Sequence, residues 1–258
     1  MNKLILVVLA LLVASASAIS NGHEAEPSRV PWAAGVLIHG GSGHSFCSGA
    51  LISARHVLTS AACINNQPQT MTIALGASSM ASIEQVIGVS HILPHPRFSS
   101  LLNRDDIAIL TMNRDATIND HVRPVQLPRH SDMATNFNGW MATTAGWGNT
   151  GNRDNERIPV ERLSFVQESI ISNFACGITH SFIRDEHICK STSEGGACNG
   201  DEGGPVTIQE AGRTFLIGIH SFHFDGIRGC DRGRAAVNTR ITHYLDWIEE
   251  HTGIVAPR

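Results

Sequence analysis

Short apolar stretches separated by turn-forming residues recur along the chain. Examples are Gly35-Val36-Leu37-Ile38, Met71-Thr72-Ile73-Ala74-Leu75 and Phe215-Leu216-Ile217-Gly218-Ile219, with Gly, Asn and Pro clusters between such runs. Runs of this length and β-branched content predict strands, and their recurrence predicts an all-β sandwich or barrel. One helix is predicted near the C-terminus. Ile241, Leu245 and Ile248 fall at i, i+4 and i+7, Thr242 is placed to cap the start, and Gly253 lies just beyond the end. The stretch 122–128 (Val-Arg-Pro-Val-Gln-Leu-Pro) reads as a connector between two β units. Internal repeats, low-complexity tracts and heptads are not found.

The start of the chain has a different pattern. Lys3 precedes an unbroken apolar run from Leu4 to Val13, then the small residues Ala14-Ser15-Ala16-Ser17-Ala18. A charged start, a short apolar core and an Ala-x-Ala site predict a secretory signal over 1–18. The run falls well short of the ~20 residues a spanning helix needs. A secreted, extracellular protein with no membrane anchor is expected.

Composition narrows the function classes. Of 258 residues, 42% are hydrophobic and 16% charged, ordinary values for a globular chain. The formal charge of -4 offers no basic face for nucleic acid. Only Lys3 and Lys190 are lysines, a bias for which we have no physical account. With six cysteines and an oxidising export route, disulfides are expected, and 15 connectivities are open on the sequence alone. A zinc site is disfavoured because no Cys-x-x-Cys pair exists. There is no Asn-x-Ser/Thr sequon.

Three segments carry chemistry. They are Cys47-Ser48-Gly49-Ala50-Leu51-Ile52 with Val57-Leu58-Thr59-Ser60-Ala61-Ala62-Cys63, then Asp106-Ile107-Ala108-Ile109-Leu110, then Cys198-Asn199-Gly200-Asp201-Glu202-Gly203-Gly204-Pro205-Val206. In order, they resemble the histidine, aspartate and serine motifs of the trypsin/chymotrypsin family. Ile19-Ser20-Asn21-Gly22, Ala145-Gly146-Trp147-Gly148 and Ser221-Phe222 add to the resemblance. It spans the chain from Ile19 to the C-terminal helix. It implies two six-stranded antiparallel β-barrels, about 19–125 and about 126–258, with a cleft between them and a C-terminal α-helix. It also selects the pairs Cys47–Cys63, Cys176–Cys189 and Cys198–Cys230.

The departures from the family pattern set the functional expectation. The general-base position holds Ala62 and the nucleophile position Glu202, while the aspartate, Asp106, remains. A methyl group accepts no proton, and a carboxylate beside the oxyanion site, whose remnant is Gly200 and Glu202, opposes the charge of the transition state. In serine–histidine–aspartate chemistry, losing the serine or histidine alone typically removes a factor of ~10⁶ in turnover. The expectation is therefore a non-enzyme, an inactive homologue of arthropod type. Ser60 lies near the missing histidine but is read as having no base.

The resemblance further implies that a freed Ile19 amino group pairs with Asp201. Ala18 stands where activated proteases carry Arg or Lys, so signal removal itself would expose Ile19. The specificity pocket would comprise Gly196, Ser221, Phe222, His223 and Ala236. His223 replaces a glycine, and the segment from Phe222 to Cys230 is longer than usual, so a narrowed site is expected. His220, His223 and Glu202 invite a metal reading. An imidazole–carboxylate hydrogen bond is preferred, and no metal or cofactor is expected. His95 reads as structural and His44 as exposed at the cleft edge.

The favoured function is a secreted binding or regulatory protein: a decoy, cofactor or antagonist in a protease cascade. Its partner would be another secreted protein, such as a protease, an inhibitor or a host or immune factor. Nucleic acid and membrane are not expected as partners. A cryptic hydrolase and a structural or storage protein are the alternatives.

Overall fold

The computed structural model describes residues 19, 21–40, 43–64, 70–148, 162–193, 195–223, 225–226, 229–230 and 235–258. The predicted signal segment 1–18, residues 224, 227 and 228, and the side chains of residues 225–230, Cys230 among them, lie outside that set. A short strand β1 (His23–Glu24) precedes a first group of six: β2 (Ala33–Gly40), β3 (Gly43–Leu51), β4 (His56–Thr59), β5 (Thr70–Leu75), β6 (Gln85–Pro94) and β7 (Ala108–Met112). They close antiparallel in the order β2-β3-β4-β7-β6-β5. Closure satisfies every backbone edge without a partner chain. Val36, Ile73, Leu75, Leu110 and Met112 fill this barrel.

The second group is β8 (Met141–Gly146), β9 (Ser164–Ile171), β10 (His187–Lys190), β11 (Pro205–Glu210) and β12 (Arg213–Phe222). A ribbon of β13 (Asp225–Gly226) and β14 (Gly229–Cys230) follows, then β15 (Ala236–Arg240). Strands β9, β10, β15, β12, β11 and β8 form a ring that the β8–β9 pairing closes, with β1 added outside on β9. The two six-stranded antiparallel barrels predicted from the motifs are thus present. Ile170, Ile188, Val206, Ile208 and Ile217 fill the second barrel.

A third apolar cluster lies between the barrels and joins Leu58, Ile107 and Ile109 to Leu216, Ile219 and Leu245. The connector behaves as predicted. Val122 enters the first core, while Val125 and Leu127 enter the inter-barrel cluster. Its backbone bonds to both sides, Val125 N–H to the Leu51 carbonyl (3.0 Å) and Leu216 N–H to the Gln126 carbonyl (2.9 Å).

The C-terminal helix differs in one detail from expectation. A 3₁₀ turn, Ile241–Tyr244, precedes α2 (Leu245–Thr252), so Thr242 sits inside the turn and caps nothing. Thr242 is buried, which takes its hydroxyl away from the exposed amides a cap would serve. Ile241, Leu245 and Ile248 are all buried, and Gly253 ends the helix at φ +71°, a conformation that favours glycine.

Two of the expected disulfides are seen. Cys47–Cys63 ties β3 to the 3₁₀ turn Ala61–Ile64, and Cys176–Cys189 ties α1 (Asn173–Gly177) to β10. Loops of this size are worth roughly 3 kcal/mol each. Cys198 is also disulfide-bonded.

The second barrel holds a feature that the sequence patterns do not predict. Lys190, one of only two lysines, is fully buried, and its ammonium lies 2.6 Å from Glu168 Oε2 and bonds the Thr144 hydroxyl. Burial pushes the Glu168 carboxyl up, and the Lys190 charge opposes that push. Removing one partner of such a pair leaves an uncompensated polar group in the core. Lys190→Met should cost roughly 3–5 kcal/mol in urea unfolding, and adding Glu168→Leu should restore most of the loss.

Candidate functional site

The site is assembled where the barrels meet. Pairing of β4 with β7 sets Thr59 opposite Ala108, so residues 60–62 and Asp106 emerge side by side. Asp106 is 4% exposed. Its Oδ1 accepts from the Ser60 hydroxyl (2.7 Å) and the Ala62 amide (2.8 Å), and its Oδ2 accepts from the Ser221 hydroxyl. The Asp106 carbonyl accepts from Thr239 Oγ on β15 (2.7 Å), which locks it to the second barrel. Burial pushes the Asp106 carboxyl up, and the donors from Ser221, Ser60 and the local backbone offset part of that rise. Ser60, read from the sequence as having no base, donates its hydroxyl to this carboxyl. Its hydroxyl lies on a buried carboxyl whose proton affinity is raised, an arrangement visible only once β4 and β7 are paired.

Glu202 lies in the turn between Cys198 and β11. The Gly200 amide donates to its Oε2 at 2.7 Å, with Gly200 at φ +97°. The turn is clamped to the first barrel by Ser48 N–H to the Glu202 carbonyl (2.8 Å) and Ser48 Oγ–H to the Gly200 carbonyl (3.1 Å). Gly203 has φ +83°, and a Cβ there would lie 2.1 Å from Thr59 Oγ and 2.2 Å from the Ser48 carbonyl oxygen. No residue but glycine fits.

Ile19 and Asp201 are both fully buried. Asp201 accepts from the Gly148 and Cys198 amides, each at 2.8 Å. A Cβ at Gly146 or Gly148 would come within 2.5 Å or less of its carboxyl oxygens, which gives the Ala145-Gly146-Trp147-Gly148 motif a steric reason. Burial pushes the Asp201 carboxyl up to about 7 despite these donors, and neighbouring Glu202 adds to the rise.

The predicted pocket residues are distributed as follows. Ser221 is engaged by Asp106. His223, half-buried, stacks on His220 with ring centroids 5.6 Å apart and planes 16° from parallel. Phe222 turns toward His180 and Phe182. Ala236 is fully buried on β15. Gly196 stands over the hidden ion pair, since a Cβ there would lie 3.2 Å from Glu168 Oε1 and 3.2 Å from Thr192 Cγ2.

The expected imidazole–carboxylate bond is not the one His220 makes. Its Nδ1 meets Asn238 Oδ1 and its Nε2 meets His223 Nδ1, each at 3.3 Å. Strand pairing puts His220 opposite Asn238, which decides the contact. Burial holds the His220 ring well below the ordinary imidazole range. Among the described residues His220, His223 and Glu202 form no three-donor metal cluster. His95 is buried between Tyr244 and Trp247, as its structural reading required. His44 is exposed and pairs with His39, the two Nδ1 atoms 2.9 Å apart.

The raised Asp201 carboxyl has a consequence for stability. A carboxyl at about 7 in the folded chain and near 3.8 when unfolded binds its proton more tightly when folded. Its contribution is complete below about pH 4 and is lost as pH rises toward 7, with a limiting slope of about 1.4 kcal/mol per pH unit. The lowered histidines His187 and His220 act in the opposite sense, losing stability as pH falls, but they are common to wild type and variant. In the chain that retains residues 1–18, where Ile19 carries no free ammonium, urea unfolding of wild type and Asp201→Asn between pH 4 and 7 should therefore give a stability difference that moves in favour of the variant as pH rises.

The chain is similar over more than nine-tenths of its length to known proteins. The trypsin family profile matches residues 19–248. Serine protease 1 of Drosophila melanogaster is 35% identical over 92% of this chain and 86% of its own. Mus musculus tryptase is 30% identical over 97% and 98% respectively. A solved structure of HL collagenase superposes with a TM-score of 0.81 at 29% identity, covering 92% of this chain and 99% of that one. These relatives are named as proteases, and that corrects the expectation of a non-enzyme. The expectation rested on Ala62 and Glu202, whose chemistry bears on one route to peptide cleavage only. Two hydroxyls, those of Ser60 and Ser221, still meet the buried Asp106 carboxyl. With the motifs, both barrels and the profile in agreement over nearly all of its length, the chain belongs to the trypsin family.

Proposed function

We propose that this chain is a secreted member of the trypsin family that works by binding, as a decoy, cofactor or antagonist of another secreted protease or of its inhibitor. The observation that carries this reading is the 2.7 Å hydrogen bond from the Gly200 amide to Glu202 Oε2. By its match to the family motif, Gly200 supplies an amide that would stabilise a reacting oxyanion. Here the chain's own carboxyl takes that donor. The Ser48 and Gly203 contacts keep the turn rigid, so the self-contact is built into the packing. A scaffold with its barrels, bridges and Asp106 setting retained, and its amide turned inward, suits recognition through the cleft and its loops.

Removal of residues 1–18 belongs to the same reading. It would free an α-ammonium at Ile19, and the pairing of that group with Asp201 is supported by the burial of both residues. A nearby ammonium would bring down the Asp201 carboxyl that burial raises. The barrel boundaries at about 125 and 126 follow the connector.

A hydrolase is the second reading, favoured by the names of the relatives and by the hydroxyl–carboxyl contacts at Asp106. The test uses purified protein starting at Ile19. Its binding to a panel of trypsin-type proteases and their protein inhibitors is measured beside turnover of peptide and ester substrates. The binding reading expects at least one submicromolar complex that is weakened by His223→Gly or by loop exchange at the cleft. Turnover by wild type that is lost in Ser60→Ala, Ser221→Ala or Glu202→Gln would overturn it in favour of the hydrolase.

A further inference from the structure

On the side of the molecule formed by the C-terminal helix, three possible metal donors converge. Asp246 and Glu249 lie on α2 at i and i+3, a spacing that puts both on one helix face. His130 faces them from the 3₁₀ turn His130–Ala134, at the end of the inter-barrel connector. One donor atom from each of the three lies within 4.8 Å of the others. We propose that His130, Asp246 and Glu249 form a divalent-cation site fitted to Zn²⁺, which ties the connector to the C-terminal helix.

The donors are held by backbone as well as by one another. Glu249 Oε1 accepts from the Ala256 amide at 2.6 Å and meets His130 Nε2 at 2.8 Å. The His130 amide donates to the Pro257 carbonyl at 3.0 Å. The tail after the helix therefore orients two of the three ligands, the supporting role that outer contacts play in metal sites. The Asp246 side chain is exposed and makes no hydrogen bond among the described residues, so its carboxylate is free to close on an ion. The adjacent cation does not compete, because the Arg129 guanidinium is turned onto Asp132 and Glu210.

One imidazole and two carboxylates suit a borderline divalent ion better than Mg²⁺ or Ca²⁺, which take oxygen alone. Three protein ligands leave a fourth tetrahedral position for water. The site lies apart from Asp106 and Glu202 in sequence and makes none of their contacts, so its existence is independent of the function proposed above.

Calorimetric titration with ZnCl₂ tests the proposal directly. The exposed pair His39 and His44 offers a competing surface for the ion, so the titration is run in a His44→Ala background. One Zn²⁺ per chain should bind and raise Tm in scanning fluorimetry, with Mg²⁺ giving no shift. Asp246→Asn, which disturbs no contact of the fold, should weaken binding about tenfold or more, and His130→Ala should abolish it. No binding up to millimolar Zn²⁺, or binding unchanged by Asp246→Asn and His130→Ala, would overturn the proposal.

Discussion

The turn from Gly200 to Gly204 is pressed so closely into the first barrel that a single methyl group at Gly203 would strike Thr59 and the Ser48 backbone. This contact fixes the relation between the barrels at the cleft. Ser48 grips the turn twice, through its amide and its hydroxyl, and the Cys47–Cys63 bridge stiffens the strand that carries Ser48. With the turn held, Glu202 has little choice of position. Its carboxyl folds back onto the Gly200 amide two residues earlier.

The same seam organises Asp106. Its carboxyl gathers hydroxyls from β12 and from the end of β4, and its carbonyl is held by β15. A buried carboxyl with this many donors is a structural joint as well as a possible chemical group. That double character explains how the cleft can keep its shape while the side chains at 62 and 202 differ from the family pattern. It also explains why a change at those two positions does not decide between binding and catalysis. Serine hydroxyls remain in contact with the joint, and the relatives that share the fold are named as proteases.

Much of the fold is legible in the sequence. The strand runs at 35–38, 71–75 and 215–219 fall in β2, β5 and β12, and the connector bridges the barrels as its composition suggests. Glycines in the motifs have steric reasons that the fold makes visible, as at Gly146, Gly148 and Gly203. Contacts between residues far apart in the chain are not legible in this way. Nothing local marks Lys190 as a buried partner of Glu168, although its rarity as a lysine is a signal. His220 meets Asn238 only because β12 and β15 pair in one register. The Ser60 contact with Asp106 depends on β4 lying beside β7. The expectation of a non-enzyme fails for a different reason. Ala62 and Glu202 remove one mechanism, and the absence of one mechanism is not the absence of activity.

The central claim is that Glu202 occupies the Gly200 amide, and hydrogen exchange at that amide by NMR tests it most directly. The account predicts a strongly protected Gly200 amide in the wild type, with protection and the downfield proton shift both lost in Glu202→Ala while the Ser48 amide stays protected. Unchanged protection and shift at Gly200 in Glu202→Ala would contradict the account.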